Sequence, residues 1–336
     1  FRSEAMLQIG IVGLGGIGNN HARCYTANKY SKLVAVCDVI KEKADAAAEQ
    51  YGAQAFYSVK QMLKSGIKLD GCSVTTAGVE NGSDHYNPTM ELLQAGIPVL
   101  GEKPISNDVA KARKMVALAK KKRVRYGINL NHRFTPAAVK AKEWLQGGRL
   151  GELNIVNMTM WINNPNESSP WFHIRALHPH SLDVMSYFAG EVDQVQAFFK
   201  KGKGRKIWSN VQANLLYKNG VIGHLTGSYD AGGSYGLETL ELVGSEGRVV
   251  INEACEKLSY YPRFSKEVES FDHLGGMGSF GDTFPSRIGA WVDDLRKKVA
   301  PSKIDAKAED ALKVQLVIES IIKSWETGKV VKVPQK

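Results

Sequence analysis

Apolar and polar positions along this chain change rhythm once. From Met6 to about Asn129, short unbroken apolar runs alternate with longer stretches in which apolar residues recur every third or fourth position. The runs at 7–12, 33–37, 69–75, 97–100 and 124–130 have the length and composition of buried parallel strands. The stretches at 17–29, 41–51, 85–95 and 108–121 read as helices, the first with Ile17, Ala22 and Tyr25 turned inward. Such alternation predicts an α/β fold: a Rossmann, doubly wound parallel sheet covered on both faces. One more helix opens near Pro136 and ends at Gly147-Gly148.

From Gly151 the period shortens to two. Alternating segments at 153–162, 194–199, 211–217, 221–229, 237–243 and 248–251 predict strands with one buried face. Asn219-Gly220 between two of them marks a hairpin. The expected C-terminal part is an α+β domain built on a large open, mostly antiparallel sheet. One helix over 179–188 interrupts it, and helices over 284–299 and 307–327 close the chain. The predicted division is 6–130 for a dinucleotide-binding domain and 131–336 for a substrate and oligomerisation domain, with the last helix packing back on the first. The sheet face that helices leave uncovered is expected to join copies into a homodimer or homotetramer.

Composition narrows the class. At 336 residues, 43% hydrophobic and 23% charged, the chain suits a soluble two-domain protein. No apolar run approaches the ~18 residues of a membrane helix, so no membrane partner is expected. Phe1–Ala5 read as an addition ahead of a native Met6, and no secretory leader is expected. Cys24, Cys37, Cys72 and Cys255 form no C-x-x-C pair. Read as small core residues, they favour a reducing, cytoplasmic setting and no structural metal. The N-x-S sequences at Asn81 and Asn166 then carry no glycan. The net charge of +10 is spread along the chain without interleaved aromatics, so nucleic acid is not an expected partner.

The chemistry concentrates at a few places. Gly13-Leu14-Gly15-Gly16-Ile17-Gly18 follows the first strand and opens the first helix. Gly13 permits a tight turn, Gly15 lets backbone approach phosphate, and Gly18 lets helix and strand pack closely. With Gly16 and Ile17, the loop offers N–H groups at a helix N-terminus to a pyrophosphate. Asp38 ends the second strand, where a carboxylate accepts from both ribose hydroxyls and repels a 2′-phosphate. That favours NAD over NADP. A blander reading makes Asp38 the N-cap of the next helix. Glu102-Lys103-Pro104, after the run at 97–100, places an ammonium group at the end of another strand of the same sheet. His180 and Asp183 stand three apart, on one helical face, and His is the natural acceptor of a hydroxyl proton near neutral pH. Their alternative is a plain helix start with Pro179 in its first turn. Trp161, Trp171, Arg175 and His178 complete the substrate candidates, since aromatic faces beside polar groups suit a sugar ring. Core packing explains the same residues.

In order, the glycine loop, Asp38, Glu102-Lys103-Pro104, Asn131-His132-Arg133-Phe134-Thr135-Pro136 and His180-x-x-Asp183 resemble the Gfo/Idh/MocA family of sugar and inositol dehydrogenases. The likeness spans the whole chain. It implies substrate taken up between a dinucleotide domain and a sheet domain, with the nicotinamide reaching the fifth strand. Lys103 would then stand near the reacting carbon and stabilise an alkoxide or relay a proton. Glu102 would orient cofactor or lysine, and Pro104 would fix the backbone through a cis bond. Thr75, His85, Asn131 and Arg133 join the cofactor-binding set. His180, with Asp183, would take the proton. Two departures stand out: Ala176 occupies a place where the family commonly has an acid, and the loop at 76–85 is long. The reading is an NAD-dependent oxidoreductase acting on a secondary alcohol of a sugar, sugar derivative or inositol. The alternatives are an NAD-dependent glycoside hydrolase working by transient C3 oxidation and a non-catalytic NAD-binding regulator.

Overall fold

The computed structural model describes residues 6–78, 84–231, 237–253 and 256–335; Asn81 and Cys255 lie outside them. Contacts divide the chain into two units. One runs through Leu130 and adds Phe284–Leu312; the other is Asn131–Thr283 together with the chain from Lys313.

In the first unit the elements are β1 (Leu7–Val12), α1 (Gly16–Ala27), β2 (Ser31–Cys37), α2 (Lys41–Tyr51), β3 (Gln54–Phe56), α3 (Val59–Lys64), β4 (Gly71–Val74), α4 (Tyr86–Gln94), β5 (Val99–Gly101), α5 (Val109–Lys122) and β6 (Tyr126–Ile128). The strands form a parallel six-stranded sheet in the order β3-β2-β1-β4-β5-β6. The order reverses beside β1, so the ends of β1 and β4 open the crevice in which such sheets take their ligands. Ile9, Ile11, Val36, Cys37, Cys72, Val74 and Leu100 are buried. The short elements β3 and α3 carry no clear period and were not anticipated. Ile17 is 39% exposed, against expectation. Gly18, His21, Ala22 and Tyr25 form the buried stripe of α1 instead, one position out of phase with Ile17.

In the second unit a 3₁₀ turn (Asn131–Phe134) leads into α6 (Pro136–Gln146), β7 (Leu153–Trp161), α7 (Phe172–Ala176), α8 (His178–Ala189), β8 (Val192–Lys200), β9 (Asn210–Tyr217), β10 (Ile222–Ser228), β11 (Leu237–Gly244), β12 (Gly247–Asn252), β13 (Lys257–Pro262) and β14 (Glu269–Asp272). The chain ends with α9 (Thr283–Arg296), α10 (Ala308–Thr327) and β15 (Val331–Lys332). The described strands make a nine-stranded sheet in the order β14-β13-β12-β11-β7-β10-β9-β8-β15. All its pairs are antiparallel except β10 with β7. The hairpin at Asn219-Gly220 forms as expected, with Gly220 at φ +89°. Helix α8 packs against β7, where Ser181 Oγ lies 3.7 Å from Met160 Sδ.

Helix α9 and the start of α10, through Leu312, group with the first unit. The α9 stripe Ile288, Trp291, Val292 and Leu295 is buried with Ile9, Ile11, Tyr25 and Leu100. From Lys313 onward α10 belongs to the second unit, holding β8 through a bond from Ala197 N–H to Ser324 Oγ at 3.1 Å. Among the described residues no helix is long and apolar enough to cross a membrane. None of them clusters His, Cys, Asp and Glu as a metal would require.

Candidate active site

In the first unit the glycine loop has the form its sequence demands. Gly13 sits at φ +96°, and a side chain there would meet the backbone of Thr75 and Thr76. A Cβ on Gly18 would strike the Gly13 carbonyl, which lets α1 approach the loop closely. A Cβ on Gly15 or Gly16 would meet nothing within 4 Å, and both residues are exposed. Helix α1 starts there without a side-chain cap and without an acidic residue in its first turn. An uncapped, open helix N-terminus behind exposed glycines is a fit cradle for a pyrophosphate. Thr75 Oγ1 braces the turn by donating to the Gly13 carbonyl at 2.6 Å.

Asp38 serves the same loop. Its Oδ2 accepts from Leu14 N–H at 2.7 Å and its Oδ1 from Ile40 N–H at 2.9 Å. Helix α2 begins at Lys41 with Ile40 in the N-cap position and no side-chain cap, so Asp38 is not its N-cap. It ties the end of β2 to the glycine turn and keeps acceptor capacity for a ribose. Replacing it by Ala should weaken NAD binding about tenfold, as loss of a charged acceptor does. Titrating the protein's fluorescence with NAD measures this. His85 adds a second mark of a ligand. Its Nδ1 lies 3.0 Å from Thr76 Oγ1, and its buried Nε2 has no hydrogen-bond partner among the described residues. Burial holds its pKa below the ordinary histidine value.

At the end of β5 stands Glu102, 6% exposed. It accepts from His21 Nε2 at 3.0 Å, from Asn129 Nδ2 at 2.6 Å and from Lys103 N–H at 3.2 Å. Behind His21, its Nδ1 lies 3.1 Å from Ser73 Oγ, which lies 2.8 Å from Tyr25 OH. A chain of donation from Tyr25 through Ser73 and His21 to Glu102 satisfies every group with a neutral imidazole. Burial pushes the Glu102 carboxyl up. The His21 hydrogen bond, the neighbouring Lys103 charge and the Asn129 hydrogen bond more than offset this, and the net direction is down. Lys103 joins Pro104 through a cis peptide. Burial lowers its pKa from 10.5, and the Glu102 charge opposes that shift. His21→Leu should cut turnover about tenfold by releasing Glu102, with NAD affinity little changed. Steady-state kinetics beside an NAD titration checks it.

In the second unit the 3₁₀ turn and α8 meet. Arg133 Nε donates to Asp183 Oδ2 at 2.8 Å, and its Nη2 pairs with Oδ1, a bidentate pair. Arg133 is 8% and Asp183 1% exposed. His180, 4% exposed, touches the His132 ring, with centroids 4.8 Å apart. Asn131 is fully buried and donates to Thr283 Oγ1 at 2.5 Å.

A family model described as an oxidoreductase family with an NAD-binding Rossmann fold matches residues 7–130, and the model of the Gfo/Idh/MocA C-terminal domain matches 138–250. The chain belongs to the Gfo/Idh/MocA family. It is an NAD-binding oxidoreductase. An inositol 2-dehydrogenase of Rubrobacter xylanophilus is 25% identical over 98% of this chain and 93% of its own length. A D-glucoside 3-dehydrogenase of Escherichia coli is 31% identical over 46% of this chain and 43% of its own. Levoglucosan dehydrogenase solved with NADH and levoglucosan shares the fold at a TM-score of 0.86, covering 98% of this chain and all of that one at 18% identity. These relatives bear the names of dehydrogenases that act on CH–OH groups.

Within this Gfo/Idh/MocA chain, three of the remaining substrate candidates are engaged in packing. Arg175 grips Glu319 of α10 with Nε at 3.0 Å and Nη2 at 2.9 Å. Trp171 stacks on Trp208, with centroids 5.9 Å apart. His178 is fully buried, bound to Ser181 Oγ and to His173 Nε2, both at 3.0 Å, and a side chain on Gly227 would collide with it. Burial holds both imidazoles far below the ordinary histidine value, His173 at about 3. Trp161 alternates with Met160 along β7 and so faces away from α8. The contacts of candidate site residues that the sequence did not mark are His21, Ser73, Asn129, His132 and Glu238. His21 alone left a signal, a polar residue on the buried stripe of a helix.

Proposed function

We propose that this enzyme oxidises a secondary alcohol of a sugar, sugar derivative or inositol. The observation that carries the reading is the clamp on Glu102, which fixes Lys103 at the end of β5 in the sheet that also builds the glycine cradle. Bound NAD supplies the hydride acceptor. Lys103, partly desolvated and cationic, donates to the substrate oxygen and stabilises its developing negative charge. His180 removes the hydroxyl proton, and the O–H electron pair closes the carbonyl as the hydride leaves carbon. Thr75, His85, Asn131 and Arg133 are assigned to the cofactor side. For Asn131 and Arg133 that role is exercised through the 3₁₀ turn they stiffen, since each is already hydrogen-bonded. Asp183 acts through Arg133.

The uncovered sheet face exposes Phe198, Leu216, Ile222 and Val330 at 58%, 38%, 52% and 57%. These support pairing with a second copy of the chain. Buried, unbridged Cys37 and Cys72 favour a reducing, cytoplasmic setting.

Incubation with NAD and a panel of inositols, aldoses and anhydrosugars, followed by nicotinamide absorbance, tests the reading. Reduction with at least one member is expected; silence across the panel with NAD bound counts against it. Glycoside cleavage without net NADH would favour the hydrolase alternative. The alkaline limb of kcat/KM should fall below the ordinary lysine value of 10.5. The sign follows from burial: a lowered pKa means the ammonium is lost earlier as pH rises.

A further inference from the structure

Two buried polar atoms at the carboxyl edge of the first sheet have no hydrogen-bond partner among the described residues: Asn129 Oδ1 and His85 Nε2. Asn129 follows β6 directly, as Glu102 follows β5 and Gly13 follows β1. Its N–H donates to the Gly101 carbonyl at 2.8 Å, which ties it to the end of β5. The residue is 1% exposed, and its Nδ2 donates to Glu102 Oε1 at 2.6 Å. Only the NH2 side of an amide can face a carboxylate so closely, so the orientation of this amide is fixed. Its Oδ1 is left as a buried acceptor. His85, 4% exposed, comes from the start of α4. A Cβ on Gly78 would stand 3.6 Å from His85 Nε2 and 4.0 Å from Pro104 Cδ, so this nitrogen lies beside the turn at 102–104. Both atoms, from different elements, thus lie against Glu102-Lys103-Pro104. A buried acceptor of this kind is satisfied by a ligand or an ordered water.

The occupant must bring a hydrogen-bond donor, and the surroundings select it. The Glu102 carboxylate stands beside Asn129, clamped there by His21 as well. A pyridinium carboxamide complements both groups, with a delocalised positive charge and an NH2; a polyol hydroxyl brings the donor alone. The glycine cradle after β1 marks the pyrophosphate end of the same sheet edge, and β6 stands three strand spacings away, about 14 Å. That span suits the nicotinamide half of an extended dinucleotide. We propose that Asn129 Oδ1 accepts from the carboxamide N–H of NAD, so that one side chain holds Glu102 through its NH2 and the nicotinamide through its carbonyl. Asn129 thereby limits the rotation of the nicotinamide ring. The inference rests on NAD binding and not on the polyol chemistry proposed above.

Calorimetric titration of the full chain with two dinucleotides tests this without turnover. The 3-acetylpyridine analogue of NAD carries a methyl group where the carboxamide has its NH2, and so leaves Oδ1 unpaired. The wild type should bind it about tenfold more weakly than NAD. In Asn129→Leu, NAD should lose about that factor, and the two dinucleotides should bind within about twofold of each other. Asn129→Ser, too short to reach, should level them in the same way and serves if the leucine variant does not fold. His21→Leu also loosens Glu102 but keeps the acceptor, so its preference for NAD should stay near tenfold. Equal affinities in the wild type overturn the proposal, and are what a water held at Oδ1 predicts. A preference that survives the loss of Asn129 overturns it too, as does one that vanishes in His21→Leu, which would assign it to Glu102. If the wild type binds NAD but reduces none with any polyol, the functional reading fails, while the preference still decides this one.

Discussion

Lys103→Met is expected to lower kcat about 100- to 1,000-fold while the Kd for NAD stays within about twofold. Methionine keeps the length of the side chain and removes its ammonium. Removing a preorganised donor from a developing oxyanion has consequences of that size. On the proposed reading NAD affinity is set elsewhere, by the glycine turn, the bare start of α1 and Asp38. Glu102 keeps its bonds from His21 and Asn129 in this variant, so the end of β5 should not move. Turnover with the best polyol and calorimetric NAD titration separate the two effects. Unchanged turnover would remove Lys103 from the chemistry.

The second large effect is on stability. Arg133→Met leaves the Asp183 carboxylate buried, 1% exposed, and without its bidentate partner. Breaking a buried ion pair from one side costs about 3–5 kcal/mol, since the remaining charge stays desolvated. The pair itself is much less valuable than that. Arg133→Met combined with Asp183→Leu should therefore recover most of the loss, although it removes both partners. Urea denaturation of the two single variants and the double variant completes the cycle. Additive losses would mean that the ion pair is not the coupled unit described here.

Five of the six strands of the first sheet were legible because they are apolar runs buried on both faces. The form of the glycine loop was legible because local backbone geometry dictates those residue types. What escaped depends on packing between distant segments. The apolar stripe of α9 announces a helix but not the sheet it will cover. Arg175 and His178 have the chemistry of a pocket, yet Glu319 and His173 hold them in structural contacts. The phase of β7 decides that Met160 and not Trp161 faces α8, and one residue of register reverses that choice. Glu238 is 106 positions from His132 in the sequence, and nothing local points from one to the other. Asp183 and Arg133 were each marked as functional, but not as partners.

Hydride is expected to pass from a carbinol carbon to NAD with Lys103 at the oxygen. The most direct test uses a polyol from the panel deuterated at its carbinol carbons, with mass analysis of the reduced cofactor in wild type and Lys103→Met. The reduced cofactor should carry the label, and its rate of formation should collapse in the variant. Unlabelled NADH, or labelled NADH formed equally fast without Lys103, would contradict that expectation.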